Sequence, residues 1–380
     1  MSEDLKEDSC NFSFLKSFLN MIKYAVGIDI SMKSFHVCLS SIDSMQQVKV
    51  ISSTTFSNNP KGFKALHDWI ERHYKQKELP LVIILEATGV YYEQCAMYLF
   101  MAAYNISVVL PNKAKKYLQA TGIKSKNDKI DAQGLARMAA EQRLELWKPM
   151  SDFYYKLRTL TRQHQSLQEL RTSLSNQLHA QEHSMITVKE VVTQLKQLIA
   201  KIDKQIEAME KAITEQVQSD PVVAKKVADV CVIKGLGLHT VAVIIAETNG
   251  FALFKNAPQL VSYSGYDIVE NQSGNHKGKT KISKKGNGHI RRALHLPAFN
   301  VVRYEVAQFV NLYNRTFERH GIKMKSYVAV QKKLLVMIYT LWKRDEQYNY
   351  KVHSAESTRD KELETFSRQG FEKTATEVSA

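Results

Sequence analysis

A stretch without proline between Pro149 and Pro221 constrains the fold most strongly. Proline breaks helices, so its absence permits helices well beyond the usual three or four turns. Apolar residues recur there every seven residues and then in alternating steps of three and four, which is a heptad pattern. They are Leu160, Leu167, Leu174, Val192, Leu195, Ile199, Ile202, Ile206, Met209 and Ile213. The pattern predicts a long helical hairpin or coiled coil over 149–220.

The heptad residues would form an apolar stripe, or seam, along the helices, and this seam allows two arrangements. The two helices could pack only on each other, as an ordinary two-helix bundle within one chain. Alternatively, an exposed seam could be covered by a second copy of the chain. We favour the second arrangement and expect a homo-oligomer, a dimer to tetramer, built through this segment.

The part before the hairpin, 23–148, has the pattern of an α/β domain. Three β-rich runs joined by short turns predict an antiparallel meander, and the continuous apolar run LVIILE predicts a strand buried on both faces. Strands then alternate with helices, which indicates a mixed sheet. The predicted strands cover 24–30, 34–40, 48–56, 81–86 and 106–110, and the predicted helices cover 63–74, 91–104 and 128–142.

The part after the hairpin, 221–350, is predicted to be mostly helical with a loop rich in glycine and lysine. Gly235 and Gly237 in IKGLGLHT suggest a helix-hairpin-helix-like turn, which can hold a DNA phosphate. A plain turn between helices is the alternative. Residues 1–22 form an N-terminal extension, whose apolar part, 12–22, we interpret as a docked or amphipathic helix. Residues 351–380 are charged and predicted to be a flexible tail.

Composition narrows the class of protein. The formal net charge is +15, which favours a polyanionic partner such as nucleic acid over a merely solvated basic surface. The four cysteines are far apart and show no zinc-ligand spacing, so we expect free thiols in a reducing compartment. No apolar run approaches the ~18 residues of a membrane span. We therefore expect a cytoplasmic protein with no membrane partner.

Four carboxylates stand out in the first domain. Asp29 interrupts the apolar strand YAVGIDI, and Glu86 ends the strand LVIILE, at the carboxyl end where ligands gather in α/β sheets. Asp128 and Asp131 are three residues apart, so both lie on one side of a helix. Because a buried unpaired carboxylate is costly and like charges repel, a bound cation would explain the set. Carboxylate oxygens suit Mg²⁺ or Mn²⁺.

Each carboxylate also has a structural explanation. Asp29 could face solvent at a bulge, Glu86 could pair with a lysine, and Asp128 could be a helix N-cap. The four residues together are better explained by a metal site, at which paired ions would assist phosphoryl displacement.

Two basic stretches lack acidic residues and predict contact with a phosphate backbone. The first, between Glu93 and Asp128, includes Lys113, Lys124 and Lys126. The second, between Glu270 and Glu305, includes Lys277, Lys279, Lys281, Lys284, Lys285, Arg291 and Arg292. A solvated basic loop is the alternative for the second stretch.

Ser273 precedes Gly274 at the head of the second basic stretch. A serine hydroxyl becomes nucleophilic when a base or metal activates it and cations stabilise the developing charge. The residues alone do not select it over Ser262, Ser264 or Ser283.

Several motifs in order resemble the DEDD transposases of the one-hundred-and-ten insertion-sequence family, the bridge-RNA-guided recombinases. They are GIDIS, EATGVYYE, KNDKIDAQGLA, GLGLHTVAVIIAE, QSG and KGKTKISKKGNGHIRRAL. Two departures are Asn127, where the family often has threonine, and YDI after Gly265, where the family has an LTP-like run.

The resemblance implies an RNase H-like, RuvC-like first domain with Asp29, Glu86, Asp128 and Asp131 as its acidic tetrad. It implies that Ser273, in the later domain, bonds covalently to DNA. The implied partners are double-stranded DNA, as element ends and target, and a structured bridge RNA that reads both by base pairing.

The implied reaction is DNA cutting and rejoining during transposition, with divalent metal and the serine. Two other hypotheses remain. In a Holliday-junction-type nuclease, water would attack and Ser273 would only bind phosphate. In a non-catalytic nucleic-acid scaffold, the carboxylates would be coincidental.

Overall fold

The computed structural model of the chain describes residues 20–122, 127–269, 272–273, 276–277 and 281–352, with backbone alone at 272–273 and 276–277. The chain forms two compact units, Met1–Pro149 and Met150–Ala380. The expected segments at 1–19 and 353–380 lie outside the described residues.

The first unit is built on a five-stranded sheet in the order β3-β2-β1-β4-β5. The strands are β1 (Met21–Ile30), β2 (Ser34–Asp43), β3 (Val48–Ser57), β4 (Leu81–Glu86) and β5 (Asn105–Val109). The first three pair antiparallel, which confirms the predicted meander, and β4 and β5 join β1 in parallel. This order and these directions define an RNase H-like α/β domain, as expected.

Helices cover this sheet, and the central strands are accordingly apolar on both faces. The covering helices are α1 (Pro60–His73), α2 (Glu93–Met101), α3 (Pro111–Ala120) and α4 (Asp128–Glu141). Along β1, Val26 and Ile28 belong to one apolar cluster with residues of α1 and α2. Ala25 belongs to a second cluster with residues of α3 and α4. The sheet therefore lies between two helical layers.

The second unit begins with two long helices, α5 (Asp152–Glu182) and α6 (Lys189–Gln218). Three side-chain pairs link the helices: His164–Glu210, Arg171–Asp203 and Glu182–Lys196. Because the residue numbers rise along α5 while those of their partners fall along α6, the helices are antiparallel. The seam positions of α6 predicted from the heptad pattern are buried or half-buried. The predicted long helical hairpin is therefore present.

The rest of the second unit is mostly helical, as predicted. Its helices are α7 (Pro221–Cys231), α8 (Leu238–Glu247), α9 (Ala257–Tyr263), α10 (Gly288–Ala293), α11 (His295–Arg303), α12 (Ala307–His320) and α13 (Lys323–Arg344). One apolar core joins the start of α5 and the end of α6 to these helices. Across the residues that the structure describes, no helix has both the length and the apolar character needed to cross a membrane.

The structure adds detail that the sequence patterns missed. Met21 and Ile22, assigned to a helical extension, begin strand β1 instead, because Met21 pairs with Asp43 of β2. Helix α3 was not predicted. Neither were four two-residue strands in the Gly/Lys-rich loop: β6 (Ile268–Val269), β7 (Gln272–Ser273), β8 (His276–Lys277) and β9 (Lys281–Ile282).

Candidate catalytic site

Asp29 and Glu86 come together because their strands are parallel neighbours. Ile28 of β1 is in register with Leu85 of β4, so the next residue on each strand, Asp29 and Glu86, lies at the same edge of the sheet. Asp29 pairs regularly with His36 of β2, and the irregularity in this pairing lies near Met21, so Asp29 is not at a bulge. Thr88 Oγ1 donates to Glu86 Oε1 at 3.4 Å.

Helix α4 brings the other two acids to this edge, and Gly27 permits its close approach. A Cβ on Gly27 would lie 2.2 Å from both the Ala132 carbonyl oxygen and the Ala136 nitrogen of α4. No side chain fits there, so the helix backbone packs directly on β1. Asp128 and Asp131 occupy the first turn of α4, which begins beside Asp29.

Asn127, one of the two departures from the family pattern, has a clear structural role. Its side chain accepts a hydrogen bond from the Ile130 amide at 2.9 Å, so it is the N-cap of α4. Asp128 is thus the first helical residue rather than the cap. His36 Nδ1 lies 3.6 Å from Asp128 Oδ2, a neighbour of the acids that sequence analysis missed. Its signal was available, since His36 lies on a predicted strand that pairs with the strand of Asp29.

Burial and repulsion between like charges dominate the electrostatics of this edge. Burial, followed by the charges of Asp131, Asp128 and Glu86, raises the pKa of Asp29 to about 6, and His36 opposes this shift. A carboxylate destabilised by both burial and like charges is typical of functional sites. The other three predicted acids are therefore close enough for their charges to act on Asp29.

The donor set suits a hard divalent cation, since it consists of carboxylate oxygens around a half-buried acid with unbalanced negative charge. The side chains do not form a closed ligand cage: in the described parts of the chain, no three His, Cys, Asp or Glu side chains converge on a metal position. The chemistry of the residues fits Mg²⁺ or Mn²⁺, and Asp29, Glu86, Asp128 and Asp131 would hold it.

Ser273 lies in the second unit, on a nested β-hairpin. Strands β6 and β9 pair antiparallel at its base, with Ile268 opposite Ile282. Strands β7 and β8 pair antiparallel further out, with Ser273 opposite His276. In the described backbone, Ser273 is therefore the last residue of β7 and pairs with the first residue of β8. Its side chain lies outside the described residues, as does that of Lys277.

The basic residues predicted to bind nucleic acid divide into two kinds. Lys113, at the start of α3, and Lys281, Lys284 and Lys285, on the returning arm of the hairpin, are exposed. Arg291 and Arg292 contact the protein itself: Arg291 donates to the Ser264 carbonyl at 2.8 Å, and Arg292 pairs with Glu169 of α5. Lys124, Lys126 and Lys279 lie outside the described residues.

The glycine turn between α7 and α8 is present and tightly packed. Gly235 has a φ of +92°, and a Cβ there would lie 2.8 Å from Asn300 Cβ on α11. Packing and backbone conformation therefore account for this glycine.

The fold and the acidic edge place the first unit in the RNase H-like class. Residues 26–185 match the DEDD transposase family of IS110, described as "Transposase". Residues 229–314 match the family described as "Transposase IS116/IS110/IS902 family". The two matches follow each other in one chain and come from the same group of transposases. The chain belongs to the IS110 family of transposases.

Similarity to known proteins extends over most of the chain. A pilin gene-inverting protein from Moraxella bovis is 28% identical over 335 residues, which covers 88% of this chain and 100% of that protein. A pilin gene-inverting protein from Moraxella lacunata matches to the same extent.

Among solved structures, T. thermophilus RuvC in complex with a Holliday junction substrate matches 31% of this chain and 93% of its own, at 10% identity and a TM-score of 0.25. Thermus thermophilus RuvC alone matches 33% and 99%, at 11% identity and a TM-score of 0.26. The fold assignment rests on the order and directions of the five strands.

Proposed function

We propose that this chain cuts and rejoins DNA as a transposase, using its four carboxylates with a divalent metal and Ser273 as nucleophile. The observation that carries the proposal is the cluster of acids around Asp29, where burial and the neighbouring negative charges raise the pKa of Asp29 to about 6. Membership of a transposase family and similarity to gene-inverting proteins support DNA rearrangement as the reaction.

The chemistry is a transesterification. The Ser273 oxygen attacks the phosphorus of one DNA strand, a serine–phosphorus bond forms, and a bond from phosphorus to a deoxyribose oxygen breaks. The serine proton is given up and the leaving oxygen takes up a proton, so the step is balanced and conserves the phosphodiester energy for rejoining. A divalent cation held by the acids would stabilise the charge on the attacking and leaving oxygens.

The chain's own groups divide this work. The acids at one sheet edge hold the divalent cation. The exposed lysines at 281, 284 and 285 contact the DNA backbone phosphates beside the serine. The partners are double-stranded DNA at the element ends and target, and a structured bridge RNA that supplies sequence recognition. A homo-oligomer, formed through α5 and α6, would bring the acids of one copy to the serine of another.

The decisive experiment compares the chain with its Ser273→Ala variant on end-labelled DNA in Mg²⁺. We expect the parent protein to form a protein-linked DNA band on a denaturing gel and the variant to form none while still binding DNA. Ser283→Ala, on the same hairpin, is the matched control and should retain the adduct.

A cleaved product without any protein-linked band would instead support the junction-nuclease mechanism with water as nucleophile. Normal recombination by Ser273→Ala would remove the serine from the mechanism.

A further inference from the structure

Glu247 is an acid buried in the second unit, and the proposed reaction gives it no role. It ends helix α8, and its side chain is 1% exposed. Arg162 of α5 donates to both of its oxygens, from Nε at 2.7 Å and from Nη2 at 2.9 Å. Asn287 Nδ2 donates to Oε2 at 2.7 Å. The carboxylate is thus fully engaged, in the bidentate geometry that makes such pairs strong.

Asn287 connects this acid to the hairpin that carries Ser273. Its Nδ2 is held by Glu247, so its Oδ1 faces the other way and accepts from the amides of His289 and Ile290 at the start of α10. Its own amide donates to the Tyr263 carbonyl at 2.7 Å, and the Tyr263 hydroxyl donates to the Glu247 carbonyl at 3.1 Å. The carboxylate therefore determines which way the Asn287 amide points.

The two arms of the hairpin are hydrogen-bonded to each other at its base, just before Asn287 in the sequence. The Ser283 amide donates to the Asp267 carbonyl at 2.7 Å, and the Lys284 amide donates to the Gly265 carbonyl at 3.1 Å. Gly286 packs so closely on the opposite arm that a Cβ would lie 2.4 Å from the Tyr263 carbonyl oxygen. The two arms are locked together just before Asn287, so a shift of Asn287 would shift the base of the hairpin.

Helix α5 contacts this region with a polar stripe. Arg162, Gln165 and Glu169 lie three and four residues apart on one helix face. Gln165 Oε1 lies 2.6 Å from His289 Nδ1, and Glu169 pairs with Arg292. The long helical hairpin is thereby joined to the end of the basic loop by directional bonds, which specify one position more strictly than apolar contact does.

We propose that Glu247 is a positioning residue that, held by Arg162 and acting through Asn287, sets the place of the β-hairpin bearing Ser273. The inference rests on the proposed function for its catalytic consequence, but its structural consequence can be measured without DNA. Displacement of a reacting group by about 1 Å can slow a reaction on the order of 10²-fold.

The test exchanges donor and acceptor. Glu247→Gln removes the charge and leaves one acceptor oxygen for the donors of Arg162 and Asn287, and Asn287→Asp sets a second carboxylate against Glu247, so each single variant weakens the network. The double variant restores the bond in reverse, because the amide introduced at position 247 donates to the carboxylate introduced at position 287. It also keeps one negative charge near Arg162. Aspartate serves as an N-cap too, so the start of α10 keeps its acceptor.

Two measurements are made on the full chain. Without DNA, we expect amide hydrogen exchange at 283–287 to rise about tenfold or more in each single variant, with α13 unchanged, and to return in the double variant. With DNA and Mg²⁺, we expect adduct formation to fall by on the order of 10²-fold in each single variant and to recover to within about tenfold of the parent in the double variant. Arg171→Gln, which removes an ion pair between α5 and α6 only, should change neither.

The two proposals fail differently. Absence of any adduct in the parent chain would refute the serine mechanism while the exchange data still test the positioning role. The positioning role would be overturned if amide hydrogen exchange at 283–287 were unchanged in Glu247→Gln. It would also be overturned if amide exchange were accelerated equally throughout the second unit. A double variant as impaired as the single ones would overturn it too.

Discussion

Two carboxylates in this chain, Asp29 and Glu247, show how differently a protein treats a buried acid. Asp29 has three acidic neighbours, and burial together with their charges raises its pKa to about 6. Glu247 is more deeply buried, and burial alone would raise its pKa, but hydrogen bonds from Arg162 and Asn287 outweigh burial and hold the pKa below its ordinary value. The first acid is left with unbalanced charge, and the second is neutralised within the fold.

Under the proposed function, the difference is between an acid whose charge a bound metal ion would balance and an acid whose charge is already balanced by the protein. Unbalanced charge costs stability and persists where function requires it. A buried ion pair with satisfied hydrogen bonds stabilises one arrangement of its neighbours, and removing one partner is costly. The following predictions test whether the acids of the two units have these opposite roles.

The largest expected effect comes from Asp29→Asn. We expect recombination to fall by on the order of 10³-fold or more, because a metal-holding carboxylate is lost. In EDTA the same variant should be more stable than the parent by about 1 kcal/mol, because repulsion is relieved, with allowance for solvent screening. Plasmid recombination and thermal melting measure the two effects. Full activity in this variant would refute the metal site.

The close packing that brings the acids together is tested by Gly27→Ala. The added methyl group would meet the backbone of α4, so we expect a loss of about 2–4 kcal/mol in the free energy of unfolding, together with loss of recombination. Chemical denaturation gives the first value. Gly237→Ala is the matched control, since a Cβ there has no atom within 4 Å; because Gly237 is the N-cap of α8, where alanine is less favoured, the variant should cost no more than about 1 kcal/mol. Equal stability of the two variants would contradict the close approach of α4.

The neutralised acid predicts a distinct pH dependence. Because the folded pKa of Glu247 lies below its ordinary value of 4.5, its contribution is fully present above pH 4.5 and is lost as the pH falls through the folded pKa. At pH 7, Glu247→Gln should cost about 3 kcal/mol in the free energy of unfolding, and this difference from the parent should shrink on acidification. Denaturant melts from pH 7 to pH 3 check this, and a difference that stays constant would show that the charge of Glu247 is not stabilising.

The smallest effects separate exposed cations from engaged ones. Lys285→Gln should weaken DNA binding, lower the slope of log affinity against log salt by about 1, and leave the melting temperature unchanged. Arg291→Gln should instead lower the melting temperature, because Arg291 donates to the Ser264 carbonyl. Salt titrations of DNA binding and thermal melts distinguish the two. Equal salt slopes for both variants would remove the distinction.

Local patterns predicted much of this molecule. LVIILE predicted β4 with both ends correct, and KNDKIDAQGLA predicted a helix that starts at Asp128, because alternation, apolar runs and caps act over a few residues. The two-residue strands around Ser273 could not be predicted, since each is shorter than any detectable period and exists only through its partner across the hairpin. The predicted strand pairing could have drawn attention to His36, but its closeness to Asp128 depends also on how helix α4 docks on the sheet.

The sequence by itself determined the α/β domain and the long helical hairpin, because residue spacing and side-chain chemistry act locally along the chain, and it predicted which acids would form a site. Only the tertiary structure decided which acids share an environment. Asp29 and Glu86 meet through parallel register, and α4 reaches them over a glycine. Glu247, an unremarked residue at the end of an apolar helix, is neutralised by partners 85 and 40 residues away in sequence, and pairing at that distance follows from packing rather than from any local pattern.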